Sequence, residues 1–141
     1  MEFWFHHGGV SVEDLEAAID WYDRVLGFKL ARRFKIASIP AEVAVLRNGP
    51  LHFELFQPEA PAPASAERHV PDEDVKTCGN KHVAFACRDV AGLSEVISQR
   101  GGEVLWVKDF GDGRVNSFIR DMEGNLIEFV QFPKFSDEAT L

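Results

Sequence analysis

Apolar residues recur along this chain in short alternating runs, and twice the alternation gives way to a helical stripe. Residues 3–12 read as a strand. Glu13-Asp14 then opens a helix, since acidic side chains are favoured at its positive end. Leu15, Ala18, Ile19, Tyr22, Val25 and Leu26 share one face of it, and Gly27 supplies the stop. Strands over 28–36, 41–47 and 51–57 follow, with Asn48-Gly49-Pro50 as the turn between the last two. Residues 58–80, first rich in proline and alanine and then charged, read as a long connection. The plan then repeats. A strand covers 81–88, a helix runs over 90–100 behind Asp89 as N-cap, and Gly101-Gly102 ends it. Three strands follow, over 103–108, 114–120 and 125–132, with turns at 109–113 and 121–124.

The order β-α-β-β-β therefore occurs twice in one domain of 141 residues. The first module spans about 3–57 and the second about 81–132, leaving 133–141 as a mobile tail. Landmarks hold the repeat: His7 to His82 is an offset of 75 (82 less 7), as is Gly27 to Gly102, and Glu54 to Glu128 is 74. Duplication on this scale constrains the architecture, because equivalent residues occupy equivalent places.

Strand parity assigns faces. His7, Gly9 and Ser11 point one way, and Gly8, Val10 and Val12 the other. His82, Ala84 and Ala86 likewise oppose Val83, Phe85 and Cys87. Each histidine thus stands beside two small residues that leave room for a ligand. His52, Glu54 and Phe56 share a face, as do Leu126, Glu128 and Val130. A carboxylate among apolar neighbours is costly unless paired or coordinated. Two imidazoles and two carboxylates suit Zn, Ni, Fe, Co or Mn, and leave positions open on a five- or six-coordinate cation. His6 and His52 read as rim or helix-facing residues, and Asp14 and Asp89 as helix starters.

Bulk composition narrows the partners. A net charge of −8 argues against binding nucleic acid or anionic membranes, although a local arginine can still hold an anionic group. Arg114, Asn116 and Arg120 fall on one face of the seventh strand, and Arg33 lies in the second; Arg114 and Asn116 are the candidate substrate-binding residues. Trp106 and Phe56 are candidates to line an apolar pocket. No run reaches the length of a membrane span, and the N-terminus lacks the pattern of a signal peptide. Cys78 and Cys87 form no disulfide framework; Cys87 reads as a buried thiol in a strand, and a reducing cytoplasm is the expected setting.

Three stretches resemble the vicinal oxygen chelate superfamily of glyoxalases, bleomycin resistance proteins and extradiol dioxygenases. They are the run from His7 to Phe28, with Asp-Trp-Tyr-Asp-Arg-Val-Leu-Gly-Phe at its end; His82-Val-Ala-Phe-Ala-Cys-Arg-Asp-Val90; and Asp121-Met-Glu-Gly-Asn-Leu-Ile-Glu128. The resemblance implies an α+β fold in which two βαβββ modules form a cupped mixed sheet around one divalent metal. It places the metal ligands at His7, Glu54, His82 and Glu128, and implies a homodimer whose sites can combine modules of two subunits. It implies a lyase, isomerase or epimerase that acts on a small carbonyl or carboxylate substrate through a metal-stabilised enediolate, with Glu54 or Glu128 moving the proton. The same superfamily also offers a non-enzymatic antibiotic-binding protein and an Fe(II) extradiol dioxygenase. Ser11 stands where bacterial glyoxalase I carries an arginine for glutathione, so the resemblance implies a reaction class and leaves the substrate open.

Overall fold

In a computed structural model, described over residues 1–133, the chain divides into two compact units, 1–64 and 65–141. The tail expected at 133–141 lies, from 134 on, outside the described residues.

The first unit contains β1 (Gly8–Ser11), α1 (Leu15–Leu26), β2 (Lys29–Ile36), β3 (Ala41–Asn48) and β4 (Leu51–Pro58). Its sheet has the order β1-β4-β3-β2, with β1 parallel to β4 and the other pairs antiparallel. The second unit contains α2 (Pro71–Asp74), β5 (Val83–Ala86), α3 (Val90–Gln99), β6 (Glu103–Asp109), β7 (Val115–Arg120) and β8 (Leu126–Gln131). Its sheet, β5-β8-β7-β6, repeats the same mixed pairing. The twofold β-α-β-β-β order expected from the pattern is therefore the observed one. Among the described residues no helix is long and apolar enough to cross a membrane.

One face of each sheet is covered by its helix. Leu15, Ala18, Tyr22 and Val25 of α1 are buried with Ala44, Leu46, Phe53 and Leu55 of the sheet, and the Tyr22 ring stacks on Phe53 at 5.3 Å. Trp21, outside the expected stripe, is also buried, while Ile19 and Leu26 are only half-buried. In the second unit Val90 and Ile97 of α3 are buried with Ile119, Ile127 and Phe129. Ser94 and Ser117 satisfy each other inside that unit through a 3.0 Å hydroxyl pair.

Both helices start the same way. Asp14 accepts the N–H of Ala17, and Asp89 that of Gly92. A second donor at each start goes to a glutamine on the last strand of the unit. Gln57 Oε1 accepts from Leu15 N at 2.7 Å, and Gln131 Oε1 from Val90 N at 3.0 Å. The stops differ slightly from expectation. Gly27 ends α1 at φ 72°, but the left-handed residue after α3 is Gly101 at φ 83°, so the glycine landmarks are offset by 74 rather than by the 75 of Gly27 and Gly102 (101 less 27).

Two strands are shorter than the alternation predicts. Parallel pairing with β4 begins at Gly8 opposite Phe53, and continuing that register would carry Phe5 into the Asn48–Pro50 turn, where there is no strand to receive it. Phe3, Trp4 and Phe5 are accordingly exposed. The fifth strand is likewise four residues long, and Cys87 lies just past its end, half-buried rather than buried.

The connection is more structured than its composition suggests. Residues 66–69 form a 3-10 turn and α2 follows, with Pro71 at its first position, where a missing N–H costs nothing. Asp74, 1% exposed, pairs with Arg68 Nη1 at 2.5 Å and with Lys81 Nζ at 3.5 Å. The His69 ring meets Gly124 O at 2.9 Å, and Arg120 donates to His69 O at 2.8 Å. This half of the connection is thereby fastened to the β7–β8 turn of its own unit. Gly124 sits at φ 83°, and a Cβ there would run into the His69 ring, so both conformation and space require glycine.

Candidate metal centre

The sheet face opposite each helix brings a histidine and a glutamate together. In the first unit Gly9 pairs with Glu54 across β1 and β4, and His7 lies two residues before Gly9 on the same side. In the second, Ala84 pairs with Glu128 across β5 and β8, and His82 lies two residues before Ala84. The carboxylate reaches back past a position with little or no side chain to meet the histidine. His7 Nε2 stands 3.4 Å from Glu54 Oε2, and His82 Nε2 stands 3.1 Å from Glu128 Oε2. Both carboxylates are largely withdrawn from solvent, with side-chain exposures of 17% and 16%.

These separations fit a shared cation. Two donors each about 2.1 Å from a metal stand about 3.0 Å apart at a right angle and about 3.4 Å apart at a tetrahedral angle. Imidazole nitrogen and carboxylate oxygen are also the donor types that first-row divalent metals accept. Without a cation the Glu128 carboxylate is within hydrogen-bond distance of His82. Each unit thus offers two donors; within either unit, among the described residues, no group of three or more His, Cys, Asp or Glu is arranged to hold a metal ion.

The surroundings of the two pairs differ. In the first unit His7 is contacted through its other ring nitrogen, with His6 Nδ1 2.6 Å from His7 Nδ1. The His6 ring also stands 5.7 Å from that of His52, whose Nε2 is buried without a hydrogen-bond partner among the described residues. In the second unit the carboxylate is the group held. Asn116 Nδ2 donates to Glu128 Oε1 at 2.8 Å. The Phe118 and His82 rings meet at a steep angle with centroids 4.8 Å apart, and Trp106 lies 4.9 Å beyond Phe118.

The other candidates from the sequence are placed as follows. Asn116 is engaged by Glu128, and Arg114, exposed and just before β7, pairs with Asp112 at 2.8 Å. That partner raises the Arg114 pKa, chiefly through the side-chain hydrogen bond, and lowers that of Asp112. Arg120 is held by Glu103 and by the His69 carbonyl. Arg33, opposite Ala44, lies on the helix side of its sheet, where it bonds Glu16 of α1 and Glu42. Trp106 and Phe56 both lie on the histidine–glutamate face of their own units.

Sequence analysis missed Lys108. It pairs with Asn116, on the same face as Glu128, and its ammonium sits over the Trp106 ring at 4.1 Å. The first unit has a related arrangement, with the Arg32 guanidinium 4.6 Å over Phe34. Bulges between Leu30 and Arg32 and between Val104 and Trp106 shift the edge strands by one residue, which turns these side chains onto that face.

Comparison with known proteins bears on the family and the fold. The family described as the Glyoxalase/Bleomycin resistance protein/Dioxygenase superfamily matches residues 4–129. A lactoylglutathione lyase of Arabidopsis thaliana is 32% identical over 131 residues, covering 90% of this chain and 44% of the relative. A lactoylglutathione lyase of Pseudomonas putida is 28% identical over 152 residues, covering 92% of this chain and 86% of the relative. The crystal structure of glyoxalase I from Zea mays matches at a TM-score of 0.70 and 25% identity, over 92% of this chain and 44% of that one. This chain thus spans less than half of the Arabidopsis and maize proteins.

Proposed function

The chain belongs to the Glyoxalase/Bleomycin resistance protein/Dioxygenase superfamily, and from that premise we propose that it is a divalent-metal-dependent lyase or isomerase of the glyoxalase type, acting on a small substrate with a carbonyl or carboxylate oxygen. The observation that carries this reading is the repeated pair, His7 with Glu54 and His82 with Glu128, each at the spacing of neighbouring ligands. These four side chains are its donors, drawn from one chain or from two chains of a homodimer. A bound cation supplies Lewis-acid polarisation, which lowers the pKa of a C–H next to the coordinated oxygen.

The chain's own groups do the rest. Glu54 and Glu128, largely withdrawn from solvent, are the carboxylates able to take a proton from such a carbon and return it. Phe118 packs against His82, and Trp106 packs against Phe118 in turn, which puts apolar surface on that side of the histidine. Lys108 has no carboxylate partner among the described residues, and it offers a positive charge to an anionic group of the substrate. The lactoylglutathione lyases among its relatives favour lyase chemistry over the alternatives.

The test is C–H exchange with solvent deuterium across a panel of α-hydroxy carbonyl compounds and thiohemiacetals, before and after chelation. Turnover lost on chelation and restored by Ni²⁺, Zn²⁺ or Co²⁺ is the expected result. Oxygen uptake with catechols would mark a dioxygenase instead, and tight ligand binding with no turnover a sequestering protein.

A further inference from the structure

We infer that Asn116 is a positioning residue that fixes the Glu128 carboxylate so that it presents a single oxygen, Oε2, to the cation. The inference rests on the metal-dependent reading above and adds a residue to it. Its ground is a difference between two otherwise repeated half-sites.

A carboxylate has two equivalent oxygens and can turn to offer either or both. At Glu128 the choice is already made. Oε1 accepts the amide of Asn116 at 2.8 Å, and Oε2 faces His82 Nε2 at 3.1 Å. The Asn116 amide is oriented by chemistry, because an ionised carboxylate only accepts and so requires the –NH₂ side. Asn116 itself is held by the ladder, opposite Val130 on β8 and Lys108 on β6. Its donor therefore arrives from a fixed place, and a charge-assisted bond to it is strong enough to set the rotamer of a half-buried glutamate.

The first unit lacks this contact. Asn116 pairs with Val130, two residues past Glu128; the corresponding position, paired with Phe56 two residues past Glu54, is Val43. A valine donates nothing, and among the described residues the polar contact of the Glu54 carboxylate is with His7. The carboxylate of the second half-site is thus braced from behind, and that of the first has no such brace among the described residues. Groups that orient a ligand in this way commonly change metal affinity about 10- to 100-fold when removed.

The experiment compares wild type with Asn116→Leu and Asn116→Ala. Calorimetric titration with Ni²⁺ and Zn²⁺ gives the Kd, the visible spectrum of the Co²⁺-loaded protein reports coordination, and the melting temperature of the chelated protein controls for folding. Both variants should bind about 10- to 100-fold more weakly, with an altered Co²⁺ spectrum and a metal-free melting temperature close to wild type. If the leucine variant does not fold, the alanine variant, which removes the donor without adding bulk or charge, carries the test. Wild-type Kd and spectrum in both folded variants would overturn the role of Asn116. A wild-type protein that binds no metal would overturn the functional reading beneath it, a result distinct from the first.

Discussion

His82 Nε2 and Glu128 Oε2 face each other at 3.1 Å across the gap left by Ala84, and His7 and Glu54 repeat the arrangement across Gly9. A glutamine in place of either glutamate keeps the size and one oxygen donor but cannot carry the proton. At least one of Glu54→Gln and Glu128→Gln should therefore lower kcat about 100-fold or more while metal content is retained. Steady-state kinetics alongside metal analysis checks this; full activity in both variants would remove the glutamates from proton transfer.

The helix starts should respond symmetrically to substitution. Gln57 and Gln131 each take one otherwise unpaired N–H, of Leu15 and Val90. Gln57→Ala and Gln131→Ala should each cost about 1 kcal/mol in urea unfolding, a typical net value for one hydrogen bond. No loss in either would mean that water serves those donors equally well.

Gly124 is the most constrained turn position. Gly124→Ala meets both a positive φ and the His69 ring, and should destabilise by more than about 1 kcal/mol. Adding His69→Ala removes the ring and leaves only the backbone term, so the double variant should recover part of the loss. Equal stability of Gly124→Ala and wild type would contradict the packing of residues 66–69 on this turn.

The two thiols should separate by pH. Burial pushes the Cys87 thiol above its ordinary pKa, and the opposing hydrogen bond from the Asp89 backbone is the smaller effect. A raised pKa means less thiolate at a given pH, and the thiolate is the reactive form. At mildly alkaline pH exposed Cys78 should label first, and the Cys87 rate should keep climbing as pH passes the normal thiol range. Mass-resolved alkylation reads both sites; equal rates throughout would contradict the half-buried environment.

Much of this was legible in the sequence. Period-2 runs, two capped helices and a 74- to 75-residue offset sufficed for the twice-repeated order and for the faces of His7, Glu54, His82 and Glu128. Lys108 shares the parity of Trp106 beyond the Val104–Trp106 bulge, but nothing in the sequence sets it apart from an ordinary exposed lysine. The helix-capping role of Gln57 and Gln131 had a signal, since they share the 74-residue offset of the glutamates. The folded half of the connection was masked by its Pro/Ala-rich start, although Pro71 followed by three acidic residues is a helix-start pattern. The role of Asn116 needed a side-chain geometry that alternation cannot supply.

The measurement that bears most directly on the central claim is the metal content of the purified protein, read with its melting temperature in added Ni²⁺, Zn²⁺ and Co²⁺. The account predicts one divalent metal per chain. It also predicts, for the chelated protein, a rise in stability of about 2.7 kcal/mol once the metal reaches a hundred times its Kd. His82→Ala and Glu54→Ala should abolish that rise. No stoichiometric metal in the protein, together with an unchanged melting temperature in all three ions, would contradict it.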